Sequence, residues 1–249
     1  MNENKFEIQE KQYKNPRHHF LEWDDVDFKL YRSLYWGLDY YAYANEIINL
    51  IISLQPKKIA DVGCGDGKLL YELSKRLKNS QLDGYDLAKK AIMFAQAYAE
   101  GIKNLNFYFE DFKNSKEKYD IIVCMEVLEH IPDNKINEFI KNLNEKINKN
   151  GKLIISVPSI NMPLHIKHYR HYSEELLKKQ LNKYFKIDKI SFITKKGLAY
   201  SSINFCLINP LFILNNRFLR KILLKIFRTT CIYTKANKCI HILAVCSKR

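Results

Sequence analysis

The chain has 249 residues, 47% of them hydrophobic, which suits one large α/β domain with appendages and a sizeable core. Its formal net charge at pH 7 is +14, and the twelve Lys and Arg residues after Asp188 have no acid among them. This asymmetry favours an anionic partner such as a phosphorylated substrate, a phospholipid surface or a nucleic acid, with a solvated basic face as the plainer alternative.

Six cysteines occur without a Cys-x-x-Cys pair, which argues against a cysteine zinc site and for a reduced, intracellular protein. The polar N-terminus lacks the apolar core of a secretion signal, so we expect a cytoplasmic protein. Residues 1–37 have no clear period and predict an N-terminal extension of loop and short helix, followed by a main domain over residues 38–249.

Helices and strands are predicted to alternate through the main domain. The predicted helices cover 38–53, about 68–78, 88–100, 133–149 and 174–183, with Asn150-Gly151 ending the fourth and Ser173 capping the fifth. The predicted strands begin at Ile59 and then cover 81–86, 105–111, 119–125, 152–158, 185–194 and 239–246. This order predicts an α/β fold with a Rossmann-like, seven-stranded, mainly parallel sheet and helices on both faces.

Residues 195–237 lie between the last two predicted strands and are expected to form an insertion that caps the substrate site. Within it, residues 197–216 carry no charge but contain Asn and Pro, so they would make a poor membrane-spanning helix. The basic run at 217–228 is partly amphipathic. This pattern fits either peripheral contact with a membrane or a cap over the active site.

The stretch from Ile59 to Gly67, Ile-Ala-Asp-Val-Gly-Cys-Gly-Asp-Gly, predicts a buried strand, a tight turn and a helix start. Glycine is needed where the backbone adopts positive φ or approaches a ligand, and the N–H groups at a helix start suit an electronegative group. Asp86, Asp111 and Glu126 also follow predicted strands. Because ligands bind beyond the carboxyl ends of parallel strands, we expect these acids at one edge of the sheet.

An acid at position 86 can accept hydrogen bonds from the hydroxyls of a ribose, as in dinucleotide sites. The dinucleotide fingerprint Gly-x-Gly-x-x-Gly is not matched, however, because the third glycine comes one residue early. No Gly-Lys-[Ser/Thr] of a phosphate-binding loop occurs either.

In order along the chain, these motifs resemble those of the class I S-adenosylmethionine-dependent methyltransferases. The resemblance is carried by Asp61 to Gly67, Asp86 in Gly-Tyr-Asp-Leu, Glu110-Asp111-Phe112, Tyr119 to Asp133 with its Glu-Val-Leu-Glu-His-Ile-Pro-Asp, and Gly151 to Pro158. It covers about residues 40–194 and the last strand. It implies S-adenosylmethionine as the cofactor and S-adenosylhomocysteine as the product.

By this resemblance, Gly63 and Gly65 approach the methionine moiety, Asp86 holds the ribose, and Asp111 with Phe112 flanks the adenine. The residues expected at the cofactor are Asp61, Gly63, Cys64, Gly65, Asp86, Leu87, Asp111, Phe112 and Glu126. The plainer alternative makes the glycines a simple turn and the acids loop caps.

Methyl transfer requires the acceptor, methyl carbon and sulfur in line, and a hydroxyl acceptor usually needs a general base. One group of candidates is the Glu-Val-Leu-Glu-His string that begins at Glu126, and the other is the histidine-rich segment at 165–172. His168 or His171 is the preferred base, and Glu126 is a further catalytic candidate. Arg170 is expected to hold an anionic acceptor, or else to pair with a glutamate of the string.

An alternative uses some of the same residues as metal ligands. Glu126, Glu129 and His130, with His168 as the fourth ligand, resemble the metal-binding set of small-RNA 3′-terminal 2′-O-methyltransferases, in which a divalent ion engages the terminal ribose hydroxyls. The basic C-terminal region would suit RNA. Because the Glu-Val-Leu-Glu-His string is also frequent in metal-free methyltransferases, we expect no metal ligand here, and nucleic acid is the weaker expectation for a partner.

The sequence therefore predicts methyl transfer to an oxygen of a small molecule or surface-glycan precursor, including anionic or phosphorylated acceptors. The His-Tyr-Arg-His-Tyr-Ser string at 168–173 is similar to that of bacterial methyltransferases of surface-polysaccharide pathways. A quinone or isoprenoid-lipid acceptor is favoured if residues 197–228 contact a membrane. A cofactor-binding scaffold without activity is the non-enzymatic alternative.

Overall fold

The computed structural model describes residues 5–23, 28–30, 36–207, 211–212, 214 and 216–249, so residues 1–4, 24–27 and 31–35 of the predicted N-terminal extension lie outside it. The described α-helices are α1 (Lys5–Glu10), α2 (Gly37–Leu54), α3 (Lys68–Arg76), α4 (Lys89–Ala99), α5 (Ile136–Lys146), α6 (Glu174–Leu181), α7 (Leu198–Leu207) and α8 (Arg217–Thr230). The described strands are β1 (Leu21–Trp23), β2 (Phe28–Leu30), β3 (Lys58–Val62), β4 (Gln81–Asp86), β5 (Leu105–Phe109), β6 (Tyr119–Met125), β7 (Ile147–Pro158), β8 (Phe185–Lys195) and β9 (Cys239–Lys248).

Seven of the described strands form one sheet in the order β5-β4-β3-β6-β7-β9-β8. Strand β9 runs antiparallel to β7 and β8, and the remaining neighbours are parallel. The central strands are nearly continuous apolar runs because both faces are covered, by α2, α3, α7 and α8 on one side and by α5 and α6 on the other. The predicted Rossmann-like α/β fold is therefore confirmed.

Helix α5 is shorter than predicted and strand β7 is longer. The helix spans Ile136–Lys146 rather than 133–149, because Ile147 already pairs with β6. The strand continues through Asn150-Gly151, which the sequence placed at the helix end. A Cβ on Gly151 would lie 2.8 Å from the carbonyl oxygen of Asp120, so the close approach of two strands requires this glycine.

The predicted insertion forms α7 and α8, which pack against α2 on one face of the sheet. Tyr200 of α7 donates a hydrogen bond to the carboxylate of Asp39 at 2.8 Å, and the guanidinium of Arg228 on α8 donates to the hydroxyl of Tyr41 at 2.7 Å. Among the described residues, no helix has both the length and the apolarity needed to cross a membrane.

Candidate functional site

A cavity of about 1100 Å³ lies at the carboxyl ends of β3, β4 and β6. All nine residues predicted at the cofactor line it, together with His168 of the histidine-rich segment. None of the described residues from 195–237 lines it, although the sequence placed the cap there. The cover comes instead from the N-terminal extension, through Lys5, Phe6, Gln12, Tyr13, Arg17 and His18.

Contacts at both ends hold the N-terminal extension over the cavity. The backbone N and ring Nδ1 of His18 lie 2.9 and 2.8 Å from the carboxylate of Asp66, beside the glycine turn. At the opposite end, the ammonium of Lys5 donates to the carbonyl oxygen of His168. Tyr13 lies between them, and burial raises the pKa of its hydroxyl well above the usual value.

The glycine turn after β3 forms a cradle that side chains would block. Its φ angles are 77°, 56° and 77° at Gly63, Gly65 and Gly67, a region that only glycine adopts without strain. The N–H groups of Gly63 and Cys64 donate to the carbonyl oxygen of Tyr85 at 2.8 and 3.1 Å. A Cβ on Gly63 would lie 2.4 Å from Cγ2 of Val127. The turn can therefore bring bare backbone against a ligand.

Two carboxylates, the buried Asp61 and the half-buried Asp86, stand beside this cradle. Asp86 accepts hydrogen bonds from the N–H groups of Gly65 at 2.8 Å and Ala88 at 2.7 Å. Burial, followed by the negative charge of Asp86, raises the pKa of Asp61 to about 8. Burial also raises the pKa of Asp86 despite its backbone donors. A ligand that carries a cation and hydroxyl donors would offset this cost, as the amino acid and ribose groups of S-adenosylmethionine would.

Asp111 and Phe112 lie after β5 at the end of the cavity expected to hold adenine. Asp111 accepts a hydrogen bond from the N–H of Lys113 at 3.0 Å and pairs with its ammonium at 3.1 Å. Phe112 is buried and packs edge-on against Tyr85, with ring centroids 5.1 Å apart. Leu87 is exposed where it lines the cavity. These residues provide apolar surface and one carboxylate, which suits a purine base.

Glu126 enters the cavity from a strained turn after β6. Its φ of 53° is unusual for a residue with a side chain, and such strain is often found at functional sites. Its carboxylate accepts a hydrogen bond from the hydroxyl of Ser156 at 3.0 Å and lies 3.2 Å from Nδ1 of His241. Burial alone would raise the pKa of Glu126, but the charge of His241 lowers it overall. Sequence analysis missed His241, because β9 reaches Glu126 only through the sheet order.

His168 and His171 form a hydrogen-bonded pair. Nδ1 of His171 lies 3.0 Å from the carbonyl oxygen of Met162, so this nitrogen carries the proton. Nε2 of His171 then accepts from Nδ1 of His168 at 2.8 Å, which leaves the lone pair of His168 on Nε2. Burial lowers the pKa of His168 to about 3, helped by neighbouring His130. His168 lines the cavity, whereas His171 supports it from outside.

Arg170 does not line the cavity. Its guanidinium donates to the carbonyl oxygens of Leu128 at 2.9 Å and Ile131 at 2.7 Å, and it pairs with Asp133 at 2.7 Å. It therefore pairs with neither glutamate of the Glu-Val-Leu-Glu-His string. Its position ties the loop after β6 to the histidine-rich segment, which fits a role in positioning rather than in direct contact with an acceptor.

Glu129, His130 and His168 present ligand atoms that all lie within 4.8 Å of one another. Neither carboxylate oxygen of Glu129 has a hydrogen-bond partner, although the side chain is buried. Nδ1 of His130 lies 3.3 Å from the carbonyl oxygen of Lys167, so its Nε2 keeps a lone pair, as in His168. Two imidazoles with fixed outer hydrogen bonds and one carboxylate fit a divalent cation. The sequence offered these three residues, with Glu126, only as an alternative to the expectation of no metal ligand, and Glu126 is not part of the group.

A family model described as a methyltransferase domain matches residues 35–199. A curated relative, the ubiquinone biosynthesis O-methyltransferase of Coxiella burnetii, is 34% identical over 119 residues, which are 46% of this chain and 49% of the relative. This chain thus spans about half the length of the curated relatives that it matches.

Two solved structures resemble the whole chain. The N-methyltransferase NodS from Bradyrhizobium japonicum WM9, in complex with S-adenosylhomocysteine, superposes with a TM-score of 0.61 and 16% identity over 99% of both chains. The magnesium protoporphyrin IX methyltransferase ChlM from Synechocystis PCC 6803, with bound S-adenosylmethionine, gives a TM-score of 0.60 and 14% identity over 100% of this chain and 99% of that one. At these identities the likeness concerns the fold.

Proposed function

Because the chain belongs to the class I S-adenosylmethionine-dependent methyltransferases, we propose that it methylates a hydroxyl oxygen of a small-molecule or glycan-precursor acceptor. When bound, S-adenosylmethionine supplies an activated methyl group on a sulfonium. The cradle of Gly63 and Gly65 would hold its methionine part, Asp86 its ribose, and Asp111 with Phe112 its adenine. Asp61 would stand beside the ammonium group.

The hydrogen-bonded pair of His168 and His171 carries the proposal of an oxygen acceptor. An alcohol must lose its proton as its oxygen attacks, and a positioned imidazole is the usual acceptor of that proton. Nε2 of His168 would take it, while Nδ1 stays bonded to His171 at 2.8 Å. Because burial lowers the pKa of His168 to about 3, this step requires an anionic group of the bound acceptor to raise that pKa. His171 in turn is fixed by Met162, so the base keeps one tautomer and orientation. Arg170 would hold this segment against the loop after β6.

Aromatic and basic side chains also line the cavity. Trp36, Tyr40 and Tyr43 line it on the side of α2, and Arg17 and Lys167 line it as cations. Aromatic faces stack on sugar rings and on quinol rings alike, and the cations suit an acidic or phosphorylated group. The curated relatives named for ubiquinone biosynthesis add weight to a quinol as one acceptor to test.

The test is methyl transfer from labelled S-adenosylmethionine to a panel of catechol-type quinols, nucleotide-linked sugars and amines. We expect label in a hydroxyl acceptor, and His168→Ala should lower kcat by about a hundredfold or more with little change in S-adenosylhomocysteine affinity. His165→Ala is the matched control, since His165 lies in the same segment but outside the hydrogen-bonded pair. Labelling of amines alone, or full activity of His168→Ala, would contradict the proposal.

The cluster of Glu129, His130 and His168 favours a second candidate, methylation of the 3′-terminal ribose of RNA. These residues would hold a divalent cation, and such an ion would engage the two adjacent hydroxyls of that ribose. The two unpartnered oxygens of Glu129 are the observation that supports it.

Metal content of the purified protein, measured after dialysis against Mn²⁺ or Co²⁺, separates the two candidates. The RNA candidate requires stoichiometric metal that Glu129→Gln abolishes, and methylation of an oligoribonucleotide that a 3′-terminal phosphate blocks. Activity that survives EDTA would remove it and leave His168 as the base.

A further inference from the structure

Helix α8 presents a second apolar stripe on the side facing away from the protein. Its buried side consists of Arg220, Leu224 and Phe227. With about 3.6 residues per turn, the opposite side of the helix holds a different set of side chains. That outer stripe consists of Phe218, Leu219, Ile222 and Ile226, all of them exposed. Phe218 has 72% of its surface exposed, an unusual fraction for a phenylalanine.

Basic residues run beside the outer stripe along one edge of the same helix. Arg217, Lys221 and Lys225 follow one another at the helical spacing of about four residues. No acidic residue occurs anywhere after Asp188, so the surrounding sequence from 189 to 249 adds only positive charge. An apolar stripe flanked by cations is the arrangement of helices that lie in a membrane interface.

The neighbouring elements also expose large aliphatic side chains. Helix α7 contacts α8 through the core and leaves Leu198 with 89% of its surface exposed. Leu211, in the connection between the two helices, is 90% exposed. Exposure of large aliphatic side chains to water is unfavourable in free energy, and several of them on neighbouring elements mark an interaction site.

We propose that α7, α8 and Leu211 dock on the headgroup region of an anionic phospholipid bilayer, with Phe218, Ile222 and Ile226 entering the acyl boundary. The cations would lie over the phosphates. A nucleic acid would use the cations but leave the aliphatic stripe in water, and a second copy of this chain would bring like charges together. The surface is separate from the cavity, so docking does not depend on the methyl acceptor proposed above.

The experiment is flotation of the full chain with vesicles of phosphatidylcholine alone or mixed with phosphatidylglycerol. We expect the wild type to float with the mixed vesicles and to be released by high salt. The double variant Phe218→Ser/Ile222→Ser should bind at least about tenfold more weakly, because two buried side chains are lost from the interface. The affinity of the Lys221→Gln/Lys225→Gln variant for vesicles should fall about fivefold for each charge removed, and only with anionic vesicles.

Met93→Ser is the matched control, because Met93 is equally exposed on α4 but has no part in the surface. All variants should keep the S-adenosylhomocysteine affinity of the wild type, which shows that they are folded. Equal flotation with both vesicle types would overturn the anionic bilayer as the partner. So would wild-type binding by the Phe218→Ser/Ile222→Ser variant, a dimer that this variant dissolves, or binding to RNA without binding to vesicles.

Discussion

Replacing Asp61 by Asn should make the protein more stable and yet a poorer binder of its cofactor. Asp61 is buried at the end of β3, and burial followed by the charge of Asp86 raises its pKa to about 8. In the unfolded chain the same group has a pKa of about 4. The folded state therefore retains a proton that the unfolded state has released, and stability falls as the pH rises from about 4 to about 8.

The expected change in the free energy of unfolding follows from the pH range between the two pKa values of Asp61. At pH 7, about three pH units above the pKa of the unfolded chain, the destabilisation has an upper limit of about 4 kcal/mol, and at pH 5, about one unit above it, the limit is about 1.4 kcal/mol. Asn has nearly the same shape without the charge, so we expect a gain in unfolding free energy of about 2 kcal/mol at pH 7 that shrinks towards pH 5. Loss of the carboxylate beside the ammonium should weaken S-adenosylhomocysteine binding by about tenfold or more.

Urea unfolding of the cofactor-free protein at pH 5, 6 and 7, with calorimetric titration of S-adenosylhomocysteine, measures both quantities. Asp120→Asn is the matched control of opposite sign. Burial would raise the pKa of Asp120, but hydrogen bonds from Asn148 and the backbone lower it overall, so this variant should lose stability above about pH 4. The reasoning fails if Asp61→Asn is less stable than the wild type at pH 7, or if its gain is independent of pH. Unchanged cofactor affinity would remove Asp61 from the site.

Three further predictions concern the cavity, its N-terminal cover and the contact of Arg170 with the loop after β6. Asp86→Ala should raise the Kd for S-adenosylhomocysteine by about a hundredfold in calorimetry, because hydrogen bonds from ribose to a carboxylate are lost, and an unchanged Kd would count against the ribose assignment. Tyr13→Ala should speed S-adenosylhomocysteine release in stopped-flow measurements by opening the N-terminal cover, and an unaltered rate would show that Tyr13 does not gate the site. Arg170→Lys keeps the charge but loses the forked contact to two carbonyls, so Tm should fall by about 5 °C, whereas an unchanged Tm would refute the tie.

The sequence predicted best where the signal was local. The run from Ile59 to Gly67 specifies strand, turn and helix through neighbouring residues, because positive φ at a glycine is a property of a few bonds. The acids at Asp86 and Asp111 could be placed on one edge because parallel strands share a direction. The class I methyltransferase family and S-adenosylmethionine as its cofactor, inferred from these motifs, are confirmed by the match over residues 35–199 and the solved structures. The roles of the individual site residues stay predictions.

The features that were predicted wrongly from the sequence depend on contacts that are not local. The end of α5 was set too late because Asn150-Gly151 resembles a helix end, while Gly151 is required by the backbone of a neighbouring strand. Arg170 was expected to hold an acceptor because it lies among histidines, yet its guanidinium faces the carbonyls of the loop after β6. Both depend on contacts between segments far apart in the chain.

The sequence by itself determined the order of the βα units, the glycine cradle and the acids at the sheet edge, since each follows from local backbone preference and strand alternation. Only the tertiary structure decided what closes the cavity and what its acceptor end contains. The sequence offered Glu129, His130 and His168 only as part of an alternative metal set with Glu126, and the structure groups these three without it. The cover by Tyr13 and the pair of Glu126 and His241 join residues from separate segments. Such contacts are set by the packing of the whole sheet, and no local pattern encodes them.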